Sequence, residues 1–483
     1  MLPALWVGLN PQLRADRIPF VFASGACMPR SVLLRPILLC LVLLGIPVSG
    51  FGAAATTEFV LGNGLKVVVR EDHRAPVLVV QVWYRVGSSY EPDGLTGMSH
   101  ALEHMMFKGT PKVPGGEFSR LVSLYGGEDN AFTTDDYTGY YQVYTADKLP
   151  LALELEADRM SNLVMRPEDF AQEIRVVMEE RRWRTDDNPQ ALAMERFLTL
   201  AWLTSPSRTP TIGWMRDLES LKLEDLKRWY ESWYTPNNAT LVIAGDVDPH
   251  KVKAHVEQYF GSMPARKVPP VRVPREMPEP GERFMRLSLP GKVPALYLGF
   301  NVPSINTAKP GEAQALRMLI GVLDEGISAR LETRLVREQQ IAAAVSSGYD
   351  AFARGDSLFM INAVPAPGRT LEELQAALLA EIEKIKTDVI AEDELKRVYA
   401  GFLSADVFER DSVREQASSI GRLESVGQSW RMIDEWPQML RKVTPAQVRQ
   451  AAVQYLVPSR RAVLHFIPSR LGSESGKPEA SPR

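Results

Sequence analysis

Beyond Cys40 the sequence contains no cysteine: its two cysteines, Cys27 and Cys40, both fall in the first tenth of the 483 residues. The folded body therefore has no disulfide and no thiolate to offer a metal, so any metal site in it must be built from histidine and carboxylate. Histidine is scarce too, with six in all, yet His100 and His104 stand four residues apart. Charge of one sign is also missing. Fifty-six basic residues oppose 59 acidic ones for a net charge of -3, and the basic residues gather in no stripe, which leaves no electrostatic case for a nucleic-acid partner. The longest apolar run, Pro36–Pro47, is too short and too broken for a comfortable membrane span. What remains, 45% hydrophobic and 24% charged, is ordinary globular composition with length for two or three cored domains.

The N-terminus reads as a targeting segment. Arg30 and Arg35 form a basic flank, the run Pro36–Pro47 follows, and the small residues Ser49 to Ala55 supply an A-x-A-like cleavage site. The expectation is a cleaved signal peptide within an N-terminal extension spanning 1–55, and hence a periplasmic or secreted protein. An uncleaved anchor that tethers it to the membrane is the alternative. Met28 competes with Met1 as the start, and Cys40 lies inside the apolar run and not at its end, against a lipoprotein.

From Thr57 the pattern turns strand-like. Glu58–Leu61, the turn Gly62-Asn63-Gly64 and Leu65–Arg70 read as a hairpin, and Pro76–Tyr84 as a nearly continuous apolar strand. Helical periods occupy about 96–108, 116–125, 148–163, 167–185 and 222–232, with strands near 137–146 and 239–245. The proline-rich stretch 263–283 reads as an extended linker. Beyond it the same order of signals recurs, with strands at 284–302 and helices at 309–323 and 328–338. The fold class is α+β, in two domains of similar build spanning 56–262 and 284–468, with a frayed tail over 469–483.

The sharpest local feature is His100-Ala101-Leu102-Glu103-His104. On a helix, residues at i, i+3 and i+4 share one face, so two imidazoles can chelate one ion while the glutamate reaches a water on it. Catalytic zinc takes three protein ligands and a water, and with cysteine absent the third should be a carboxylate. Glu173 and Glu180 lie seven apart on one stripe of a helix opened by Pro167, while Glu179 points away. Glu180 reads as the ligand and Glu173 as the group behind, accepting the free N–H of an imidazole, although angle alone leaves the reverse open. Taken singly, an i,i+4 histidine pair or a glutamate stripe is more often solvated surface, and Met105-Met106-Phe107 is core packing. His73, His250, His255 and His465 have no partner at ligand spacing and read as structural or surface residues.

With these residues in place, the chain resembles the pitrilysin family of inverzincins, which includes insulin-degrading enzyme and mitochondrial processing peptidase. The inverted H-x-x-E-H is that family's mark. Asp72–Pro76 through Val82–Ser88, the pair Glu173 and Glu180, and Tyr234–Ala239 leading to Gly245-Asp246-Val247 are similar to further family segments.

The resemblance implies two related αβ roll domains forming half of a clamshell chamber. It also implies one Zn2+ per chain held by His100, His104 and Glu180, with Glu103 as general base and Glu173 behind a ligand. Asn130, Ala131, Phe132 and Thr133 look like the edge strand that holds substrate by β-augmentation. The implied activity is zinc-dependent endopeptidase cleavage of unfolded peptides or short polypeptides. A homodimer or a related non-catalytic partner chain would complete the chamber; the alternative is that this chain is itself a non-catalytic peptide-binding subunit. One departure stands out. The family carries an Arg and, seven residues on, a Tyr that reach the substrate carbonyl; Arg337 fits the first, but the second position is Ala344, with Tyr349 five residues too late.

Overall fold

The computed structural model describes residues 55–469; the leader, the anchor, the choice between Met1 and Met28 and the tail from 470 onward lie outside them. Among the described residues the strands form two sheets. The first contains β1 (Thr56–Val60), β2 (Lys66–Glu71), β3 (Val77–Tyr84), β4 (Glu128–Thr133), β5 (Thr138–Thr145) and β6 (Ala239–Gly245), in the order β1-β2-β6-β3-β5-β4. The second contains β7 (Arg283–Pro290), β8 (Ala295–Val302), β9 (Ala342–Gly348), β10 (Ser357–Pro365) and β11 (Arg461–Ser469), in the order β7-β11-β8-β10-β9. Leaving aside the extra edge strand β1, the two orders are identical. In each, a parallel pair (β2 with β6, β7 with β11) sits at the same place in an otherwise antiparallel sheet. The weak repeat of signals in the sequence is thus a repeat of topology, and the fold is α+β in two related halves.

The apolar continuity of β3 has a simple cause: both faces of the first sheet are covered. Side chains alternate along a strand, so Leu78, Val80, Val82 and Tyr84 enter the main core of the first half, while Val79 and Trp83 face the other way. β6 divides likewise, Leu241 and Ile243 to one side, Val242 and Ala244 to the other.

What covers the outer face comes from the far end of the chain. Helix Val413–Ser425 lays Ala417 and Ile420 against Val79, Trp83, Phe132 and Val242. The exchange is mutual. Helix Pro189–Ala201, from the first half, sets Ala193, Phe197 and Ala201 against Tyr297, Leu464 and Phe466 of the second sheet. Each half therefore lends one helix to the other's sheet. The intervening segment, 262–282, holds no helix or strand, as its prolines suggest, but it is tied down: Asn237 bonds Arg266 in both directions, and Glu276 accepts from the backbone of Leu203 and Thr204.

Element types follow the sequence reading; several boundaries do not. The helix expected over 96–108 is only Met98–Met105, because Gly97, at φ 88°, starts it and the chain turns through Met106–Lys108 before Gly109. The helix expected to 185 is α-helical to Arg181 and then widens into a π turn, Arg182–Asp186. The helix expected over 328–338 is a π segment, Glu332–Glu338.

The exchanged helix at 413–425 is held by a close approach. A methyl group at Gly421 would come within 2.1 Å of the Trp83 indole. Gly421→Ala should therefore lower the urea midpoint, overpacking of about 1–3 kcal/mol outweighing the gain in helix propensity of about 1 kcal/mol. A raised midpoint would mean the helix can lift off Trp83 at no cost.

Candidate metal centre

Helix Met98–Met105 is anchored by its apolar face, where Met98, Leu102 and Met105 are buried in the main core. At its open N-terminus the Glu91 carboxylate accepts from the backbone N–H of Gly97 at 2.7 Å and of Ser99 at 2.6 Å. It thereby serves as a cap supplied from outside the helix. Burial pushes the Glu91 carboxyl up to about 8 despite these bonds. Trp229 Nε1 donates to Ser99 Oγ at 3.2 Å, adding a third tie. The opposite face presents His100, Glu103 and His104 to helix Pro167–Arg181, which carries Glu173 and Glu180.

Glu180 Oε2 lies 3.6 Å from His100 Nε2 and 3.4 Å from His104 Nε2. These three side chains can offer ligand atoms to one metal ion. Zinc–nitrogen and zinc–oxygen bonds of about 2.1 Å at tetrahedral angles set neighbouring ligand atoms about 3.4 Å apart. The spacing fits one ion between three donors and is too long for good hydrogen bonds. The two glutamates sit differently. Glu173 lies behind the ring, its Oε2 3.2 Å from His104 Nδ1 and its Oε1 2.5 Å from Lys108 Nζ. Glu179 is exposed and pairs with Arg182.

The electrostatics follow from this crowding. Burial, aided by the neighbouring His104, lowers His100 to about 3. Burial also works against a charged His104, but Glu173 and Glu180 outweigh it and raise that imidazole to about 9. Both glutamates are held below the usual carboxylate range: burial opposes this, and the His104 imidazole beside each of them, with Lys108 at Glu173, prevails. Glu103 is pushed up to about 7 by burial, against the hydrogen bond that Thr133 Oγ1 donates to its Oε2.

Thr133 ends β4, an edge strand paired only with β5. On this strand Ala131 and Phe132 bury their side chains in the cores on opposite faces of the sheet, and Asn130 is exposed with its Oδ1 on the Ala131 N–H. Among the described residues no further strand lies beyond β4, and Thr133 links this edge to Glu103.

Arg337 is not brought to this cluster by any hydrogen bond or ion pair. It is exposed and donates to Thr333 Oγ1 at 3.0 Å on its own segment. Ala344 is exposed on β9, the corresponding edge of the second sheet, and Tyr349 donates to Pro303 O at 2.7 Å. His73 pairs with Asp246 at the surface, and His465 is buried beside Gln375.

The sequence matches Insulinase (Peptidase family M16) over residues 66–213 and the Peptidase M16 inactive domain over 220–402. It is 34% identical over 342 residues to the zinc protease PqqE of Helicobacter pylori, covering 70% of this chain and 76% of that protein. The chain belongs to the M16 peptidase family. A protease from Helicobacter pylori superposes with a TM-score of 0.80 at 28% identity, over 86% of this chain and all of the other. The first half of the periplasmic protease PqqL from Escherichia coli gives 0.73 at 20% identity, over 86% and 94%, a likeness of fold. Why the second M16 half has no comparable triad is visible in its own residues. Helix Glu312–Asp324 starts, like the first, after a left-handed glycine, Gly311 at φ 89°. Counted from that glycine, the places of His100, Glu103 and His104 are taken by Gln314, Arg317 and Met318.

Sequence reasoning missed three anchors. Lys108 stands four residues after His104 and was findable by spacing; Glu91 was not, since it reaches the helix through a turn. A third, Arg181, is buried between Glu195 (2.8 and 3.2 Å) and the carbonyl of Gly213 (2.8 Å). Removing one partner of a buried pair costs about 3–5 kcal/mol because the other charge is stranded. Arg181→Met should therefore lower the unfolding midpoint sharply, and Arg181→Met with Glu195→Leu should recover most of it. Additive losses in the double variant would show that the two do not act as a pair.

Proposed function

We propose that this M16 chain is a zinc-dependent endopeptidase that cuts unfolded peptides or short polypeptides. The observation that carries the reading is the spacing of His100 Nε2, His104 Nε2 and Glu180 Oε2 with Glu103 alongside on the same helix face. His100, His104 and Glu180 would hold the ion, and bound Zn2+ would acidify a water and polarise the scissile carbonyl. Glu103 accepts the proton of the attacking water and returns it to the leaving amine, a role its place on the helix face of the two imidazoles suits. Thr133 fixes the orientation of that carboxylate. Glu173 and Lys108 keep the His104 ring turned so that Nε2 faces inward. The free edge of β4 takes the substrate as an added strand, its main chain bonded and its side chains left to the surroundings.

Two further elements belong to this reading. The chain works in the periplasm or outside the cell, in keeping with its leader-like N-terminus and a periplasmic neighbour in fold; among the described residues no helix is long and apolar enough to cross a membrane. A second copy, or a related partner chain, closes the chamber. Arg337 is then a group acting across that interface and not within one chain. The exposed Ala344, standing where a tyrosine is expected, favours a second reading, in which the chain serves as the peptide-binding subunit of a heteromeric peptidase.

Hydrolysis of a mixed set of unstructured peptides tests both. Glu103→Gln should keep its zinc and lose turnover by about 10²–10⁴-fold, while His104→Ala should lose the zinc. Full zinc stoichiometry in His104→Ala would sink the ligand set. A folded, zinc-loaded parent that cleaves nothing would favour the subunit reading.

A further inference from the structure

The two oxygens of Glu180 have different surroundings. Oε2 faces the imidazoles of His100 and His104, whereas Oε1 is 2.8 Å from an Arg184 guanidinium nitrogen. Among the described residues Arg184 is the one cation within ion-pair distance of Glu180 apart from those histidines, so nothing else fixes the rotation of this carboxylate about its last bond.

The contact depends on an unusual piece of backbone. The α-helix ends at Arg181, and the chain continues through the π turn Arg182–Asp186, closed by the Asp187 N–H on Arg182 O at 2.8 Å. This extra turn keeps residue 184 over residue 180; had the helix stopped at Arg181, the guanidinium would have left the site. π turns inside helices recur at functional sites, where they re-aim side chains. The turn is itself pinned from below by the buried Arg181, which also reaches Asp186 at 3.4 Å. An exposed i,i+4 ion pair adds little to stability. The Glu180 side chain, however, is only 16% exposed, against 46% for Arg184, so the pair's effect lies in the direction it imposes on a mostly buried group.

We propose that Arg184 is a positioning residue: by engaging Oε1 it leaves Oε2 alone facing the two imidazoles, so that Glu180 offers the metal one oxygen and a coordination position stays open for water. Without it the carboxylate is free to turn and present both oxygens, which would fill that position. Catalytic zinc sites depend on keeping it open, and partners behind the ligands typically alter metal affinity or activity by about 10–100-fold.

This role rests on the metal site proposed above, and the test separates the two. Zinc affinity would be measured by competition with a chromophoric chelator, and the Co2+-substituted protein by its visible absorption, in the parent, Arg184→Met, Arg184→Lys and His104→Ala, with urea midpoints as a check on folding. Arg184→Met, with an unchanged midpoint, should shift zinc affinity by about 10–100-fold and weaken the Co2+ absorption as coordination rises. Arg184→Lys, which restores one cationic donor, should recover much of the parent spectrum. A parent-like spectrum and affinity in Arg184→Met would overturn the positioning role while leaving the site intact. A parent that binds zinc no better than His104→Ala would overturn the site, and this role with it.

Discussion

The Arg181–Glu195 pair holds the rest of the metal centre in register. Arg181 follows Glu180 directly, so fixing its guanidinium fixes the backbone that carries this glutamate. Its other contact is the carbonyl of Gly213, and Gly213, at φ 86°, packs so closely on Gly97 that a methyl group there would come within 2.7 Å of it. Gly97 starts the helix of His100, Glu103 and His104. One buried cation thus ties the two helices that meet at the site, through a segment that belongs to neither. Glu195 extends the tie further, because its helix packs on the second sheet.

This arrangement makes the site depend on the whole molecule. A helix of 8 residues and one of 15 could not by themselves keep His100, His104 and Glu180 together, since isolated helices up to about 12–15 residues are marginal in water. Here the His helix is packed by its apolar face, capped by Glu91 and braced by Trp229, while its partner is anchored by Arg181. Both helices stand beside a sheet whose far face is sealed by a helix from the other half. The precision that metal binding requires is drawn from packing and not from propensity.

Much of this was legible in the residues. The H-x-x-E-H spacing gave the helix face, the lack of cysteine pointed to a carboxylate beside the two imidazoles, and the apolar run Pro76–Tyr84 read as a strand, observed over Val77–Tyr84. The repeated order of strand and helix signals corresponds to the shared strand order of the two sheets. Other features could not be read. Which glutamate faces the imidazoles depends on how two helices cross, which a stripe on one of them does not encode. The π turn after Arg181 spans only five residues, too few to break a period read over a longer window, so the expected helix ran on to 185. The exchange of helices is invisible to local patterns, because an apolar face at 189–201 or 413–425 does not say which sheet it covers.

The exchanged helices also bear on whether either half could stand alone. A lone half would carry an uncovered sheet face and an unattached helix, and two copies would satisfy each other by trading them. With the shared strand order β2-β6-β3-β5-β4 and β7-β11-β8-β10-β9 and one helix passed in each direction, the two halves are joined in the manner of such a reciprocal pair. The half that carries Gln314, Arg317 and Met318 at the places of His100, Glu103 and His104 thus serves the other as a clasp.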